Sequence, residues 1–211
     1  MDKNQLAVEA FDLRAGLYQE KFMDVGLYHV SLDLFCQLVA PVGAELLELA
    51  CGPGNVTRYL LEKRPDLRIL GTDLSPNMIE LATRNNPAAT FQLLDCRAPL
   101  SLGRRFDAIL CGFGLPYLTR EEAVQLIADA ATALRPGGVL YLSTMEDDYA
   151  KSGPRSSSQG DVLYMYFHQA DYLSEAIAGQ GLIVKHLERI TYGQQPDCLT
   201  TDLVLVAQKP V

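Results

Sequence analysis

The stretch LELACGPGN, Leu47 to Asn55, runs from an apolar segment carrying the acid Glu48 into two glycines separated by a single proline. A backbone this bare, where a strand ends, serves either a tight turn or the close approach of a ligand. Its surroundings decide between them. Outward from this point the chain alternates short β-like runs with helix-like stretches, the pattern of a parallel sheet covered by helices on both faces. The first strand is AELLEL, ending near Leu49, and Val56, Tyr59 and Leu60 line one face of a helix that starts near Asn55 and stops at Pro65. The second strand, LRILGTD, closes at Asp73; Ser75 as N-cap and Pro76 at the first helical position open a helix through about Arg84. TFQLLD, ending at Asp95, and FDAILCG, ending near Gly112, are the third and fourth strands. Thr119 and Glu122 have capping-box spacing ahead of a helix that RPGG ends, which places VLYLSTM as the fifth strand.

Residues 146–161, rich in Ser, Gly and charge, read as a long surface loop. An aromatic strand or turn, VLYMYF, then leads to a helix from about Gln169 to Gly179, and two extended runs flanking GQQPD form a closing antiparallel hairpin. The first 40 residues show no strand pattern and are expected to form one or two helices over the sheet. The whole, 1–211, reads as a single domain. Its parts are a helical cap (1–42), a ligand-binding core (43–145), a loop and aromatic segment over the substrate side (146–168) and a closing helix and hairpin (169–211).

Composition agrees with one core of ordinary globular type: 211 residues, 48% apolar and 21% charged. A formal charge of −8 argues against a protein whose main task is neutralising phosphates on nucleic acid or an anionic membrane. The N-terminus lacks the apolar core of a signal peptide, and no stretch approaches the roughly 20 apolar residues needed to span a bilayer. Cys36, Cys51, Cys96, Cys111 and Cys198 are far apart with no Cys-x-x-Cys pair, which suggests a reducing cytoplasm. His29, His168 and His186 are equally scattered, and no spacing resembles a metal site.

In an open α/β sheet, ligands bind beyond the carboxyl ends of the strands. Gly52 and Gly54 follow strand one there, with a helix N-terminus behind them. Asp73 ends strand two, where a carboxylate can accept both hydroxyls of a ribose, and Asp95 ends strand three, close to where an adenine amino group would lie. Together they outline a nucleoside. The dinucleotide fingerprint wants a third glycine where this chain has Thr57, and a Walker lysine is absent. Glu48 suits a ligand carrying an ammonium and a sulfonium better than one carrying a pyrophosphate.

LELACGPGN, GTDLSPNMIELA, LLDC, FDAILCGFGLPYL and LRPGGVLYLSTM, in this order and spacing, resemble the successive motifs of class I S-adenosylmethionine-dependent methyltransferases. The resemblance covers about Glu45 to Met145, and the N-terminal FDLRAGLYQEKF resembles the helix that small-molecule members fold over the cofactor. It implies a Rossmann-like three-layer sandwich with a mostly parallel seven-stranded sheet, a C-terminal antiparallel hairpin and N-terminal helices capping the site. It also implies that Glu48, Ala50, Cys51, Gly52 and Gly54 hold the methionine portion, Asp73 the ribose, and Leu74 and Met78 the adenine or sugar. Asp95 and Cys96 would read the adenine edge, Cys111 would lie near the sulfonium, and Tyr18 and Arg14 would close over the amino-acid end. CGFGLPY, Cys111 to Tyr117, lacks the Asn-Pro-Pro-Tyr-type motif of amino-methylating enzymes that act on nucleic acids or proteins, and Tyr117 replaces a histidine often seen there.

The expectation is therefore methyl transfer to a small-molecule acceptor by a cytoplasmic monomer or homodimer, with no metal and nucleic acid disfavoured as a partner. Tyr117, His168 and His29 are the candidates for a proton-accepting role. Tyr28, Tyr164, Tyr166 and Phe167 join Tyr18 and Tyr117 as candidates for lining a substrate pocket. The alternatives are a methyltransferase acting on a protein or nucleic acid, a non-catalytic cofactor-binding module, and, last, a nucleotide-dependent dehydrogenase.

Overall fold

The apolar run before the glycine turn is a strand with no wet face. In the computed structural model, which describes residues 3–156, 162–193 and 199–211, Leu46, Leu47 and Leu49 of β1 (Glu45–Leu49) are fully buried. A parallel strand covered on both sides requires this. β2 (Arg68–Asp73) pairs with β1 in parallel, β3 (Thr90–Leu93) continues beyond β2, and β4 (Phe106–Gly112) and β5 (Leu134–Glu146) extend the other side. A separate two-stranded ribbon is formed by β6 (Gly153–Ser156) and β7 (Val162–Met165). The closing hairpin, β8 (Ile183–Tyr192) and β9 (Thr200–Gln208), completes a seven-stranded sheet of order β3-β2-β1-β4-β5-β9-β8, in which β9 runs antiparallel to both neighbours. This is the Rossmann-like sandwich expected.

Side chains alternate across a strand, so the parity of each strand assigns its residues to one of two cores. Leu47 and Leu49, with Ile109, Leu140, Leu142, Leu203 and Leu205, meet Leu126 and Ile127 of α6 (Arg120–Ala133) and Leu173 of α7 (Ala170–Gly179). Leu46, with Ala108, Leu110, Tyr141, Val204 and Val206, meets Leu32 and Phe35 of α3 (His29–Leu38) and Leu60 of α4 (Asn55–Lys63). Glu48, Ser143, Met145 and Asp202 have the parity of the second set and continue that face toward the carboxyl edge of the sheet. The edge strand β8 alternates exposed and half-buried residues and carries Lys185, Glu188 and Arg189, charges that discourage pairing with another chain.

The two helix starts read from sequence hold. Ser75 accepts the N–H of Met78 at the head of α5 (Pro76–Asn85), and Thr119 and Glu122 form a reciprocal capping box on α6. Other expectations are corrected. The N-terminal cap contains three helices, α1 (Lys3–Leu13), α2 (Ala15–Phe22) and α3, with a tight turn at Gly26–Tyr28; α1 buries only Asn4 and Ala7, leaving little apolar periodicity to read. Residues 146–156 contain a 3-10 turn at Tyr149–Lys151 and strand β6 in place of loop. The ribbon's exposed Pro, Arg and Ser side chains give no strand pattern, since it exists to pair backbone groups. β3 stops at Leu93, leaving Leu94 and Asp95 in the loop beyond, and β5 begins at Leu134, so Arg135 to Gly138 belong to a strand. Residues 157–161, and most of GQQPD with Cys198, lie outside the described residues.

Candidate functional site

The glycine turn is built as a left-handed backbone held from outside. Ala50, Gly52 and Gly54 have φ of +52°, +52° and +77°. The N–H of Cys51 donates to the carbonyl of Thr72 at 2.9 Å, tying the turn to β2. The side-chain amides of Asn85 and Asn86, at the end of α5, donate to the carbonyls of Pro53 and Gly54 at 2.8 and 2.9 Å. Gly54 caps α4, and a Cβ there would strike the Asn86 amide and approach Ala82 at 3.3 Å. A second left-handed residue without the excuse of glycine, Phe113 (φ +57°), follows β4 beside Ala50. Paired non-glycine residues in this region mark a backbone shaped for a ligand more than for its own comfort.

Asp73, at the end of β2, accepts the backbone N–H groups of Gly52 and Ser75, each at 2.9 Å. Burial raises its pKa, with those donors pulling the other way. Glu48 is 2% exposed and accepts the hydroxyl of Thr57 from α4. Its pKa is raised to about 7, first by burial, which outweighs the Thr57 hydrogen bonds, with a small addition from Asp73.

Two cavities open at this edge. The smaller, about 100 Å³, is lined by Asp73, Leu74, Met78, Leu94 and Cys96 and closed over by Phe11 of α1. The larger, about 320 Å³, contains Glu48, Cys51, Tyr28, Ser143, Met145 and Asp202. Tyr18, Ala50, Gly52, Gly112, Phe113 and Tyr117 line both, so the two compartments meet over the turn. Phe11 packs edge-on against Tyr18 (5.6 Å between ring centres) and Tyr117 (5.1 Å), which ties the helical cap to the site. Burial pushes the Tyr18 phenol up to about 12 and raises that of Tyr117 further, so both remain protonated at neutral pH.

The structure thus gathers Tyr18, Glu48, Ala50, Cys51, Gly52, Asp73, Leu74, Met78, Cys96 and Tyr117 around one space, with Gly54 supporting it from the helix cap. Cys111 lies just beneath, fully buried, its thiol pushed up to about 12 by desolvation. Four expected residues point elsewhere. The carboxylate of Asp95 is taken by Arg97 at 2.7 to 3.0 Å, and Arg97 also reaches Glu122 at 2.9 Å; only the neighbours Leu94 and Cys96 line the cavity. Arg14 sits at the junction of α1 and α2, away from both cavities. His29 is exposed, with Nδ1 donating to the carbonyl of Gly26 at 2.7 Å. His168 is fully buried, Nε2–H donating to the carbonyl of Leu115 at 2.8 Å and Nδ1 accepting from Tyr172. Burial lowers its pKa to about 4, and a neutral imidazole with both nitrogens engaged is scaffolding. Tyr164, Tyr166 and Phe167 line neither cavity; the Lys3 ammonium lies 3.5 Å from the Tyr164 ring centre.

Sequence reading missed Asp202. It is fully buried in β9, opposite Met145 of β5, and accepts the hydroxyls of Tyr28 at 2.6 Å and Tyr192 at 3.4 Å, one on each oxygen. A lone acid at the mouth of the apolar run LVLVA was the available signal. Among the described residues no group of His, Cys, Asp and Glu is arranged to hold a metal ion.

Residues 46–138 match the sequence family described as a methyltransferase domain. Over 110 residues, 52% of this chain and 42% of the relative, the chain is 34% identical to trans-aconitate 2-methyltransferase of Variovorax paradoxus. Over 136 residues, 64% of this chain and 51% of the relative, it is 35% identical to dTDP-3-amino-3,6-dideoxy-alpha-D-glucopyranose N,N-dimethyltransferase of Streptomyces fradiae. The chain therefore spans about half the length of these curated relatives. The solved structure of DhpI in complex with SAH superposes with a TM-score of 0.73 at 21% identity, covering 99% of this chain and 98% of that one, which establishes likeness of fold.

Proposed function

We propose that this chain, whose residues 46–138 match a methyltransferase-domain family, is a class I S-adenosylmethionine-dependent methyltransferase that transfers a methyl group from that cofactor to a small-molecule acceptor. The observation that carries the reading is the pair of cavities meeting over the left-handed turn: one of nucleoside character around Asp73, the other a larger chamber of about 320 Å³, a size that suits a small acceptor. The residues present fit the cofactor. A half-buried carboxylate stands at the end of β2 for a ribose. Glu48 is a buried acid held by the neutral hydroxyl and backbone N–H of Thr57, and it complements a cationic amino-acid end. When bound, the cofactor supplies a methyl group already activated on sulfur.

The protein's own task is then placement. Asp73 holds the ribose, Leu74 and Met78 pack against the nucleoside, Cys96 and Leu94 border the adenine edge, and the turn with Glu48 holds the methionine portion. Tyr18 and Tyr117 cover the junction. Alignment of acceptor and methyl in one line supplies up to roughly 7–11 kcal/mol of the barrier reduction for well-oriented reactants. Tyr117 is the one of the three candidate proton acceptors that borders both compartments. A small acceptor is supported by the modest size of the chamber, about 320 Å³. The described cysteines are all free and buried, which fits a reducing compartment such as the cytoplasm; among the described residues no helix is long and apolar enough to cross a membrane.

Isothermal titration with S-adenosylmethionine and S-adenosylhomocysteine tests this reading. Binding in the micromolar range is expected, lost in Asp73→Ala and weakened in Asp73→Asn, which keeps the shape that holds Gly52. Absence of binding by folded protein overturns it.

A further inference from the structure

The acceptor chamber has walls of one sign. Glu48 and Asp202 line it as buried acids, the exposed Asp24 stands at its rim, and its remaining lining is aromatic, apolar or neutral. None of the 18 Lys and Arg side chains, and none of the three His, lines either cavity among the described residues; the residues outside the description contain no Lys, Arg or His at all. An acceptor bearing a carboxylate or phosphate would enter a partly buried space already lined by three acids, with no cation of the described residues to pair with it. Buried charge of that kind is strongly disfavoured. An amine meets the opposite situation. Asp202 has each oxygen fixed by one tyrosine hydroxyl, leaving lone pairs for an N–H. The rings of Tyr28 and Phe113, 5.3 Å apart, with Tyr192 and Tyr141, offer π faces to a cation.

Resting on the methyltransferase reading above, we infer that the acceptor is an amine, anchored as its ammonium by Asp202 between Tyr28 and Tyr192, and that carboxylate and phosphate acceptors are excluded. Glu48, on the same sheet face but beside the turn, belongs to the cofactor, and Asp24 is exposed and accepts the N–H of Gly26, which leaves Asp202 for the acceptor. In the reaction the ammonium gives one proton to the Asp202 carboxylate, and the freed nitrogen lone pair forms the new N–C bond as the S–C bond breaks. The electron pair of that bond stays on sulfur, S-adenosylhomocysteine and a methylated ammonium are the products, and Asp202 returns its proton to water. The chain's relatives include enzymes named for a tricarboxylate and for an amino sugar; the charge of this chamber separates the two kinds.

The test uses the full chain and sets of matched probes, each set presenting an amine, an alcohol and a carboxylate on one linear, cyclic or sugar-like skeleton. Binding to the S-adenosylhomocysteine-loaded protein is measured by titration, and transfer of labelled methyl from S-adenosylmethionine is followed separately. Amines are expected to bind, and at least one to be methylated, at least tenfold better than their carboxylate counterparts. Asp202→Asn and Tyr28→Phe should each weaken amine binding and transfer, the first tenfold or more, with the affinity for S-adenosylhomocysteine unchanged. Preference for carboxylates, methylation confined to alcohols, no transfer to any amine, or amine binding indifferent to both substitutions overturns the inference while cofactor binding persists. Loss of cofactor binding in the unmodified protein would instead remove the reading beneath it.

Discussion

Glu48→Gln isolates the cost of keeping a carboxyl group in the sheet. Burial lifts this group from 4.5 to about 7, and a difference of one in pKa corresponds to about 1.4 kcal/mol; the separation is therefore worth roughly 3 kcal/mol. Between these values the folded protein keeps a proton that the unfolded chain has given up. The stability tied to Glu48 is complete below 4.5, falls as pH rises through the interval and is lost above about 7. Glutamine has nearly the same shape and can still accept the Thr57 hydroxyl, but has nothing to titrate. Asp73 and Asp202 are also shifted upward by burial and give the same slope in both proteins, so the informative quantity is a double difference. Denaturant unfolding at pH 5 and pH 8 should show the unmodified protein losing roughly 3 kcal/mol more than Glu48→Gln over that range. Parallel losses in the two proteins would refute the assignment of a raised, burial-driven pKa. The same group predicts that binding of cationic S-adenosylmethionine near neutral pH expels a proton, visible as a dependence of binding heat on the buffer, and that Glu48→Gln abolishes the dependence.

Three further outcomes follow from particular contacts. Gly54→Ala places a Cβ at φ +77° against Asn86 and Ala82; the left-handed conformation alone costs about 1–2 kcal/mol, so thermal unfolding should drop by several degrees, and an unchanged Tm would count against the described turn. His168→Phe leaves the buried carbonyl of Leu115 without its donor and should cost about 1–3 kcal/mol, whereas His29→Ala on the surface should change stability by no more than about 0.5 kcal/mol. S-adenosylhomocysteine affinity should be equal in both, and a selective loss in either would restore that histidine to the site. Thr144, whose hydroxyl is buried with no partner among the described residues, should tolerate valine with a gain of roughly 1 kcal/mol in denaturant unfolding; a loss would reveal a hydrogen bond there.

The half of the molecule around the glycine turn, to which we assign the nucleoside, was legible because its requirements are local. A glycine turn after a buried strand, acids at the ends of the next strands and two standard helix caps each leave a mark within a few residues, and β1, β2, β4, α5 and α6 lie close to where those marks put them. Asp95 shows the limit of such reading: position at a strand end is set by sequence, but the direction of its side chain is set by Arg97 two residues on. His168 and His29 were attractive only for their chemistry, and burial in one case and exposure in the other removes both from the cavity. The larger cavity, proposed for the acceptor, left no local mark. Tyr28 and Asp202 are separated by 174 positions and become neighbours only because β9 inserts between β5 and β8. In the small ribbon, VLYMYF marked β7 as a strand or turn, while β6 left no mark, since pairing of exposed backbone needs no apolar alternation.

That insertion also divides ownership of the pocket along the chain. The turn, Glu48 and Asp73 fall inside the matched segment 46–138, while Tyr28, Ser143, Met145, Tyr192 and Asp202 all fall outside it. The two sets touch the same space yet share no strand, helix or loop. Replacing the hairpin by that of another member of the fold would change one wall of the larger cavity and leave the turn in place, but it would also have to rebuild core on both faces of the sheet, where Leu203, Val204, Leu205 and Val206 of β9 are buried.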